Sequence, residues 1–126
     1  MKARILIVDD NPVNLKLASE VLECEGYEVD RAIDAEAAQQ LLAQRTPDLI
    51  LMDIALPGMD GLALTRLIKS DESLCNIPVI AMTAFAMKGD EERTREAGCD
   101  GYIAKPIDIR SFAITVADHL RKPSPP

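Results

Sequence analysis

The 126-residue sequence is poor in aromatic side chains, and it contains one histidine, three cysteines and no tryptophan. Because aromatics make up only 3%, any core must be built from aliphatic side chains and methionine. The cysteines are widely spaced and form neither a CxxC pair nor a cluster with the histidine, which argues against a zinc site and a disulfide framework. We therefore expect three reduced thiols, which are typical of cytoplasmic proteins.

Positive charge is also scarce, since 14 Lys and Arg residues against 21 Asp and Glu residues leave a net charge of -7. An acidic protein lacks the cations that meet the phosphates of nucleic acids or of anionic membranes. No apolar run approaches the length of a membrane span, and the N-terminal residues lack a signal-peptide layout. These absences predict a cytoplasmic protein with no nucleic-acid or membrane partner.

The sequence does contain 48% hydrophobic residues, which is enough for the core of one ordinary domain. We expect this domain to cover residues 1–121. The proline-rich residues 122–126 are expected to form a disordered tail or the start of a linker.

Apolar runs alternate with amphipathic segments five times along the chain. Strands are predicted at Arg4–Val8, Glu28–Ala32, Leu49–Met52, Val79–Met82 and Gly101–Ala104. Helices are predicted at Pro12–Glu25, Ala35–Gln44, Gly61–Ser70, Ala86–Ala97 and Ile109–Arg121. This β-α repetition predicts an α/β fold, in which a parallel sheet carries helices on both faces. Two families of open sheet are common, and the five-stranded flavodoxin-like order 2-1-3-4-5 suits the length.

The predicted helix boundaries carry capping signals. Asn11 precedes a proline at the first helical position, and Asp34 and Asp108 are candidate N-caps of the second and fifth helices. Gly26 and Gly98 are placed to end the first and fourth helices.

Three acids directly follow predicted strands: Asp9 and Asp10 after the first, and Asp53 after the third. In the order 2-1-3-4-5 these strands are neighbours, and ligands bind outside the carboxyl ends of such strands. Three carboxylates in one place repel, so they need a cation, a shared proton or both. A hard dication with oxygen ligands is the natural solution, which makes Mg²⁺ the leading candidate.

Two further polar residues end strands on the same side: Thr83 follows the fourth strand and Lys105 the fifth. A hydroxyl, an ammonium group and a metal site are what phosphoryl transfer requires, and Asp53 can act as the nucleophile that forms an acyl phosphate. Any one of the three acids alone is as typical of a loop, a helix start or a turn as of a functional site. Thr83 alone is more typical of a structural residue, and Lys105 alone of a solvated charge. Their convergence at strand ends favours the functional interpretation.

His119 is the only histidine and lies late in the last predicted helix. We expect a surface or partly packed residue there, and not a phosphodonor.

Four motifs together resemble the receiver domain of two-component response regulators. They are Val8-Asp9-Asp10, Leu51-Met52-Asp53, Met82-Thr83-Ala84 and Ala104-Lys105-Pro106, and the likeness runs from Lys2 to about Leu120. Such receivers occur as single-domain regulators, in hybrid histidine kinases, and joined to effectors in larger regulators.

The resemblance implies a role for each matching position. Asp53 would be the phosphoacceptor, and Asp9 and Asp10 would organise Mg²⁺, for which Mn²⁺ can substitute. The backbone carbonyl of Ala55 would complete the metal ligands. Lys105 would be the active-site lysine.

The resemblance also implies a switch in which the Thr83 hydroxyl moves toward the phosphoryl group and Tyr102 swings inward. The Lys105-Pro106 peptide would be cis. Ala55 and Phe85 offer no side-chain hydrogen bond to an attacking water, which predicts slow autodephosphorylation in a protein that is otherwise not an enzyme.

The partners implied are a histidine kinase or histidine phosphotransfer protein as donor, and a downstream protein bound through the fourth helix, fifth strand and fifth helix. The chain itself would be a monomer or weak dimer.

Three other classes of protein are weighed against this one. A haloacid-dehalogenase-type phosphatase needs two acids one residue apart after the first strand, whereas Asp9 and Asp10 are adjacent. A flavin carrier needs a phosphate loop rich in Ser, Thr and Gly, and an acidic pair there repels phosphate. A phosphorylation-independent scaffold would have no need of the complete acceptor set.

Overall fold

The fold comes from a computed structural model, which describes residues 3–54, 61–83, 88–104 and 108–121, with the backbone alone for 88–91 and 121. The predicted tail therefore lies outside the described residues. Strands and helices alternate in the order β1 (Arg4–Val8), α1 (Pro12–Cys24), β2 (Glu28–Ala32), α2 (Ala35–Gln44), β3 (Leu49–Asp53), α3 (Gly61–Ser70), β4 (Val79–Thr83), α4 (Lys88–Ala97), β5 (Gly101–Ala104) and α5 (Ile109–Arg121).

The five strands form one parallel sheet in the order β2-β1-β3-β4-β5, which confirms the predicted fold. The strands β3 and β4 are each one residue longer than predicted. Asp53 pairs with Met82 and Thr83 pairs with Ala104, so these two polar residues are the last members of their strands. The helix α1 ends at Cys24, one residue before the predicted end at Glu25.

Successive side chains of each strand enter different layers of the core. In β1, Leu6 and Val8 pack with α2 and α3, whereas Ile5 and Ile7 pack with α1 and α5. Both faces of the sheet are thus covered, which explains why the inner strands β1, β3 and β4 contain continuous apolar runs. The helix α4 packs beside α3 and β5.

Local signals set the ends of several helices as the sequence predicted. Asn11 Oδ1 accepts hydrogen bonds from the backbone N–H groups of Val13 and Asn14 at 2.9 and 3.3 Å. Gly26 and Gly98, after α1 and α4, have φ of 92° and 105°, a conformation that favours glycine. These ends fix where each chain segment returns to the sheet.

Candidate functional site

The register of β1 and β3 brings three carboxylates together at the carboxyl edge of the sheet. Val8 pairs with Met52, so the next residues along these parallel strands, Asp9 and Asp53, lie side by side. One oxygen from each of Asp9, Asp10 and Asp53 lies within 4.8 Å of the others. Asp9 is 1% exposed and Asp53 4%, whereas Asp10 is exposed. We call these three residues the acidic cluster.

Local hydrogen bonds hold the loop that carries two of these acids. Asp9 donates its backbone N–H to the carbonyl of Ala32 at 3.0 Å, which ties the loop to the end of β2. Asp9 Oδ1 accepts the backbone N–H of Asn11 at 2.9 Å, and Asn11 in turn caps α1. The acids therefore stand on a framework set by the adjacent strand and helix.

The donor chemistry of the acidic cluster fits a hard dication. Carboxylate oxygens are the ligands that Mg²⁺ takes in proteins, and Mg²⁺ ordinarily keeps some of its water. Two of the three carboxylates are buried, where their mutual repulsion is poorly screened by solvent. The exposed carboxylate of Asp10 leaves one side of the cluster open to solvent.

Thr83 ends the strand next to Asp53. It is 2% exposed and directly follows Met82, whose carbonyl accepts the backbone N–H of Ile54 at 3.1 Å. On the far side, Tyr102 of β5 is half-buried and pairs with Ala81 of β4. The two predicted switch residues therefore lie on adjacent strands, with Thr83 at the carboxyl edge.

Several predicted site residues lie outside the described part of the chain. They are Ala55, Phe85, Lys105 and Pro106, and with them the predicted cis peptide. The described part of β5 ends at Ala104, the residue before the predicted lysine.

His119 lies at the opposite, amino edge of the sheet. Its Nδ1 is 2.9 Å from the carbonyl oxygen of Thr115, and its Nε2 is 3.2 Å from the carbonyl oxygen of Asp100, just before β5. It is partly buried, as the sequence predicted, and it is remote from the acidic cluster.

The sequence interpretation missed three exposed apolar residues at the carboxyl edge of the sheet, Val13, Ile33 and Ile109, which we call the apolar rim. These side chains are 73%, 59% and 54% exposed, and they follow the carboxyl ends of β1, β2 and β5. A signal was available for Val13, because it lies off the buried face of α1 that Leu15 and Leu22 define. Single exposed apolar residues are common, but three at one edge indicate a contact surface.

Among the described residues, no helix combines the length and the apolar character needed to cross a bilayer.

Comparison with known proteins agrees with this geometry. The response regulator receiver domain family matches residues 5–117. The polar-differentiation response regulator DivK of Brucella ovis is 49% identical over 120 residues, which cover 95% of this chain and 98% of that protein.

Solved structures of receiver domains are also similar. One is the receiver domain of a sensor histidine kinase from Pseudomonas aeruginosa, crystallised with a magnesium ion in its active site cleft. It has a TM-score of 0.89 and 34% identity, and the match covers 97% of this chain and all of that one. The signal receiver domain of a histidine kinase from Syntrophus aciditrophicus has a TM-score of 0.87 and 34% identity, with 98% and 97% covered. Together with the family match, these relatives show that the chain belongs to the response regulator receiver domains of two-component signalling.

Proposed function

We propose that Asp53 accepts a phosphoryl group from the phosphohistidine of a partner protein, and that the resulting aspartyl phosphate changes which proteins this domain binds. The observation that carries the proposal is the acidic cluster, in which the buried carboxylate of Asp53 lies within 4.8 Å of two others. Such a carboxylate is a nucleophile already held in place, and placement supplies much of the rate in phosphoryl transfer.

The residues that would hold Mg²⁺ are Asp9, Asp10 and Asp53, together with the carbonyl of Ala55. A bound dication supplies the positive charge that lets a carboxylate and a phosphoryl group approach each other. The relative from Pseudomonas aeruginosa, with magnesium in its active site cleft, supports this assignment. We propose that Mn²⁺ can replace Mg²⁺, because it also accepts carboxylate and water oxygens.

In the transfer step, one Asp53 oxygen forms a bond to phosphorus while the phosphorus–nitrogen bond of the donor breaks. The electron pair of that bond leaves with the imidazole nitrogen. We propose that the Thr83 hydroxyl donates to one phosphoryl oxygen and that the Lys105 ammonium group balances the charge on another. Thr83 supports this role because it ends the strand next to the acceptor.

We propose that the donor, a histidine kinase or histidine phosphotransfer protein, docks on the apolar rim. Val13, Ile33 and Ile109 present exposed apolar area at the carboxyl edge of the sheet, where Asp53 also lies, so a partner that covers them would bring its phosphohistidine to the same edge. Replacing Val13 by aspartate is expected to slow transfer from the partner but not from acetyl phosphate, which needs no docking surface. Equal slowing with both donors would place the effect of Val13 in the chemical site instead.

We propose that the downstream protein binds the surface of α4, β5 and α5. Tyr102 would move inward when the Thr83 hydroxyl moves toward the phosphoryl group. Ile114 supports this choice of surface, since it is 61% exposed on α5.

We propose a cytoplasmic monomer or weak dimer that works as a switch and turns over only its own phosphoryl group. The same domain within a hybrid kinase or a larger regulator is the alternative, and the kinase receivers among its relatives support it.

The lifetime of the phosphoryl group would be long, because neither Ala55 nor Phe85 offers a side-chain hydrogen bond to an attacking water. Ala55→Asn is expected to speed phosphate release. An unchanged rate of release would contradict this account of the lifetime.

The experiment that tests the acceptor is intact-protein mass spectrometry after incubation with acetyl phosphate and Mg²⁺. The wild type is expected to gain the mass of one phosphoryl group, and Asp53→Asn to gain none. Asp118→Asn is the matched control, since it removes an exposed carboxylate on α5 and is expected to gain the same mass as the wild type. Phosphorylation of a folded Asp53→Asn protein, or none of the wild type, would refute the assignment.

A further inference from the structure

We propose that Gly61 is a positioning residue for the phosphoacceptor: its bare α-carbon fits against the backbone of Asp53 and Ile54, and this contact sets the direction of the Asp53 carboxylate. The inference rests on the proposed function, because it concerns the geometry of the same acceptor.

The need for glycine at this position comes from space and not from backbone conformation. Gly61 is the first residue of α3 and is buried. Among the described residues only Gly26 and Gly98 have positive φ, so the backbone at Gly61 is one that any residue can adopt. A Cβ at Gly61 would overlap the carbonyl oxygen of Asp53, and would lie 2.8 Å from Ile54 Cα and 2.9 Å from the carbonyl carbon of Asp53.

The atoms that a side chain would meet cannot turn aside. They belong to the peptide that joins the acceptor to the next residue, and its other side is held by β4. There Asp53 pairs with Met82, whose carbonyl accepts the N–H of Ile54. The acceptor peptide is thus held between β4 and the start of α3.

Gly61 is itself fixed by hydrogen bonds at both ends. Its N–H donates to the carbonyl of Ile54 at 3.3 Å, and its carbonyl accepts the hydroxyl of Thr65 at 2.8 Å. Thr65 is 0% exposed, and α3 is anchored in the core by Leu64 and Ile68, which are 0% and 2% exposed. A side chain at Gly61 must therefore displace either an anchored helix or the acceptor peptide.

Displacement of the acceptor peptide has a chemical consequence. The Cα of Asp53 moves with this peptide, so the Asp53 carboxylate turns away from the carboxylates of Asp9 and Asp10. Misplacement of a reacting group by about 1 Å costs rates on the order of a hundredfold.

The test compares Gly61→Ala with Gly101→Ala at saturating Mg²⁺, and the readout is the rate of phosphorylation of folded protein by acetyl phosphate. A Cβ at Gly101 is also tightly placed, but it meets a side chain, since it lies 2.7 Å from Nε2 of His119 at the amino edge of the sheet. Gly61→Ala is expected to be slower than Gly101→Ala by at least about fivefold. A smaller difference overturns the proposal, because a merely structural role lowers stability without changing the rate of the folded molecules.

Thermal unfolding of both variants gives the folded fraction and a second criterion. Alanine in place of a glycine in a helix ordinarily stabilises a protein. A loss of stability in Gly61→Ala is therefore the expected sign of steric conflict, and a gain would overturn the proposal.

If Gly61→Ala does not fold, the pair Thr65→Val and Thr65→Ser decides the matter. Valine removes the hydroxyl that holds the Gly61 carbonyl without adding volume, whereas serine keeps it. Thr65→Val is expected to be slower by at least about twofold at saturating Mg²⁺, with Thr65→Ser close to the wild type. A smaller loss in Thr65→Val, or an equal loss in Thr65→Ser, overturns the proposal.

Failure of this inference is distinct from failure of the proposed function. Absence of phosphorylation in the wild type defeats the function, whereas normal phosphorylation of both the wild type and Gly61→Ala defeats only the positioning role.

Discussion

Lys69 and Asp100 form an ion pair across 31 residues of sequence, with Lys69 Nζ 2.8 Å from Asp100 Oδ2. The same Nζ donates to the carbonyl of Ile77 at 2.8 Å, and the same Oδ2 accepts the backbone N–H of Val79 at 2.9 Å. The end of α3 and the starts of β4 and β5 are therefore joined at the amino edge of the sheet, opposite the acidic cluster.

Replacement of Lys69 by methionine is expected to lower the free energy of unfolding by about 1 to 2 kcal/mol, because the Ile77 carbonyl and the Asp100 carboxylate lose a charged donor. The Lys69 side chain is 19% exposed but that of Asp100 is 45% exposed, so solvent screens the ion pair and most of the loss is expected from the part-buried bond to Ile77. Urea unfolding measures the change.

Lys16→Met is the control for the Lys69 measurement, because Lys16 is an exposed lysine on α1. Its effect is expected to stay within about 0.5 kcal/mol. Equal losses in the two variants would mean that removal of any lysine charge, and not this set of contacts, is responsible.

Asp34→Ala is expected to destabilise the protein by about 1 kcal/mol through loss of a helix cap. Asp34 Oδ1 accepts the backbone N–H of Ala37 at 2.8 Å at the start of α2, and alanine offers no replacement acceptor. Asp34→Ser keeps an oxygen at the cap and is expected to retain most of the stability. Thermal unfolding compares the three proteins, and equal losses in both variants would contradict the capping role.

The caps and the sheet could be predicted because their signals are local. Asn11 and Asp34 act on backbone groups two or three residues away, and Gly26 ends α1 through its own backbone conformation. The alternation of apolar runs with amphipathic segments fixed the α/β class. It also placed Asp9 and Asp53 at strand ends, so their approach followed once β1 and β3 were neighbours.

The remaining features depend on contacts between distant parts of the chain. The strands β3 and β4 extend to Asp53 and Thr83 because the adjacent strands continue to pair there. The sequence alone does not reveal this pairing, because a polar residue after an apolar run can equally begin a loop. The Lys69 and Asp100 pair arises only when α3 packs beside the start of β5. The fit of Gly61 against Asp53 likewise needs the geometry of two elements, since a glycine near a turn has many local explanations.

Cys99 is expected to react with iodoacetamide more slowly than Cys24 at about pH 8, because the thiolate is the reactive form. Burial raises the pKa of the Cys99 thiol, and the nearby Asp100 carboxylate adds to the rise. Cys24 is exposed. Peptide mass spectrometry gives the labelling rate at each cysteine, and denaturant is expected to remove the difference. Equal rates in the folded protein would contradict the environment described for Cys99.

The raised pKa of Cys99 also has a consequence for stability. Because the folded-state pKa lies above the unfolded one, the neutral thiol contributes stability that is complete below the unfolded pKa. This contribution is lost as the pH rises through the folded pKa. The stability difference between the wild type and Cys99→Ala is thus expected to shrink in alkaline solution, as urea unfolding at several pH values would measure.

The last prediction concerns repulsion within the acidic cluster, which Asp10→Asn relieves. Without metal, this variant is expected to be more stable than the wild type by up to about 1 kcal/mol, since one of three charges within 4.8 Å is removed. With Mg²⁺ the order reverses, because the wild type binds the ion more tightly. When the free Mg²⁺ concentration is a hundred times the dissociation constant of the wild type, the wild type is expected to gain about 2.7 kcal/mol in its free energy of unfolding.

Thermal unfolding with EDTA and with increasing MgCl₂ measures both effects. Asp118→Asn removes an exposed carboxylate of α5 and is expected to follow the wild type throughout. If Mg²⁺ raises the unfolding temperature of Asp10→Asn as much as that of the wild type, the ion binds elsewhere. If Asp10→Asn is less stable than the wild type in EDTA, the three carboxylates do not repel as their spacing requires. The two halves of the experiment thus examine the charge of the cluster and its ligand separately.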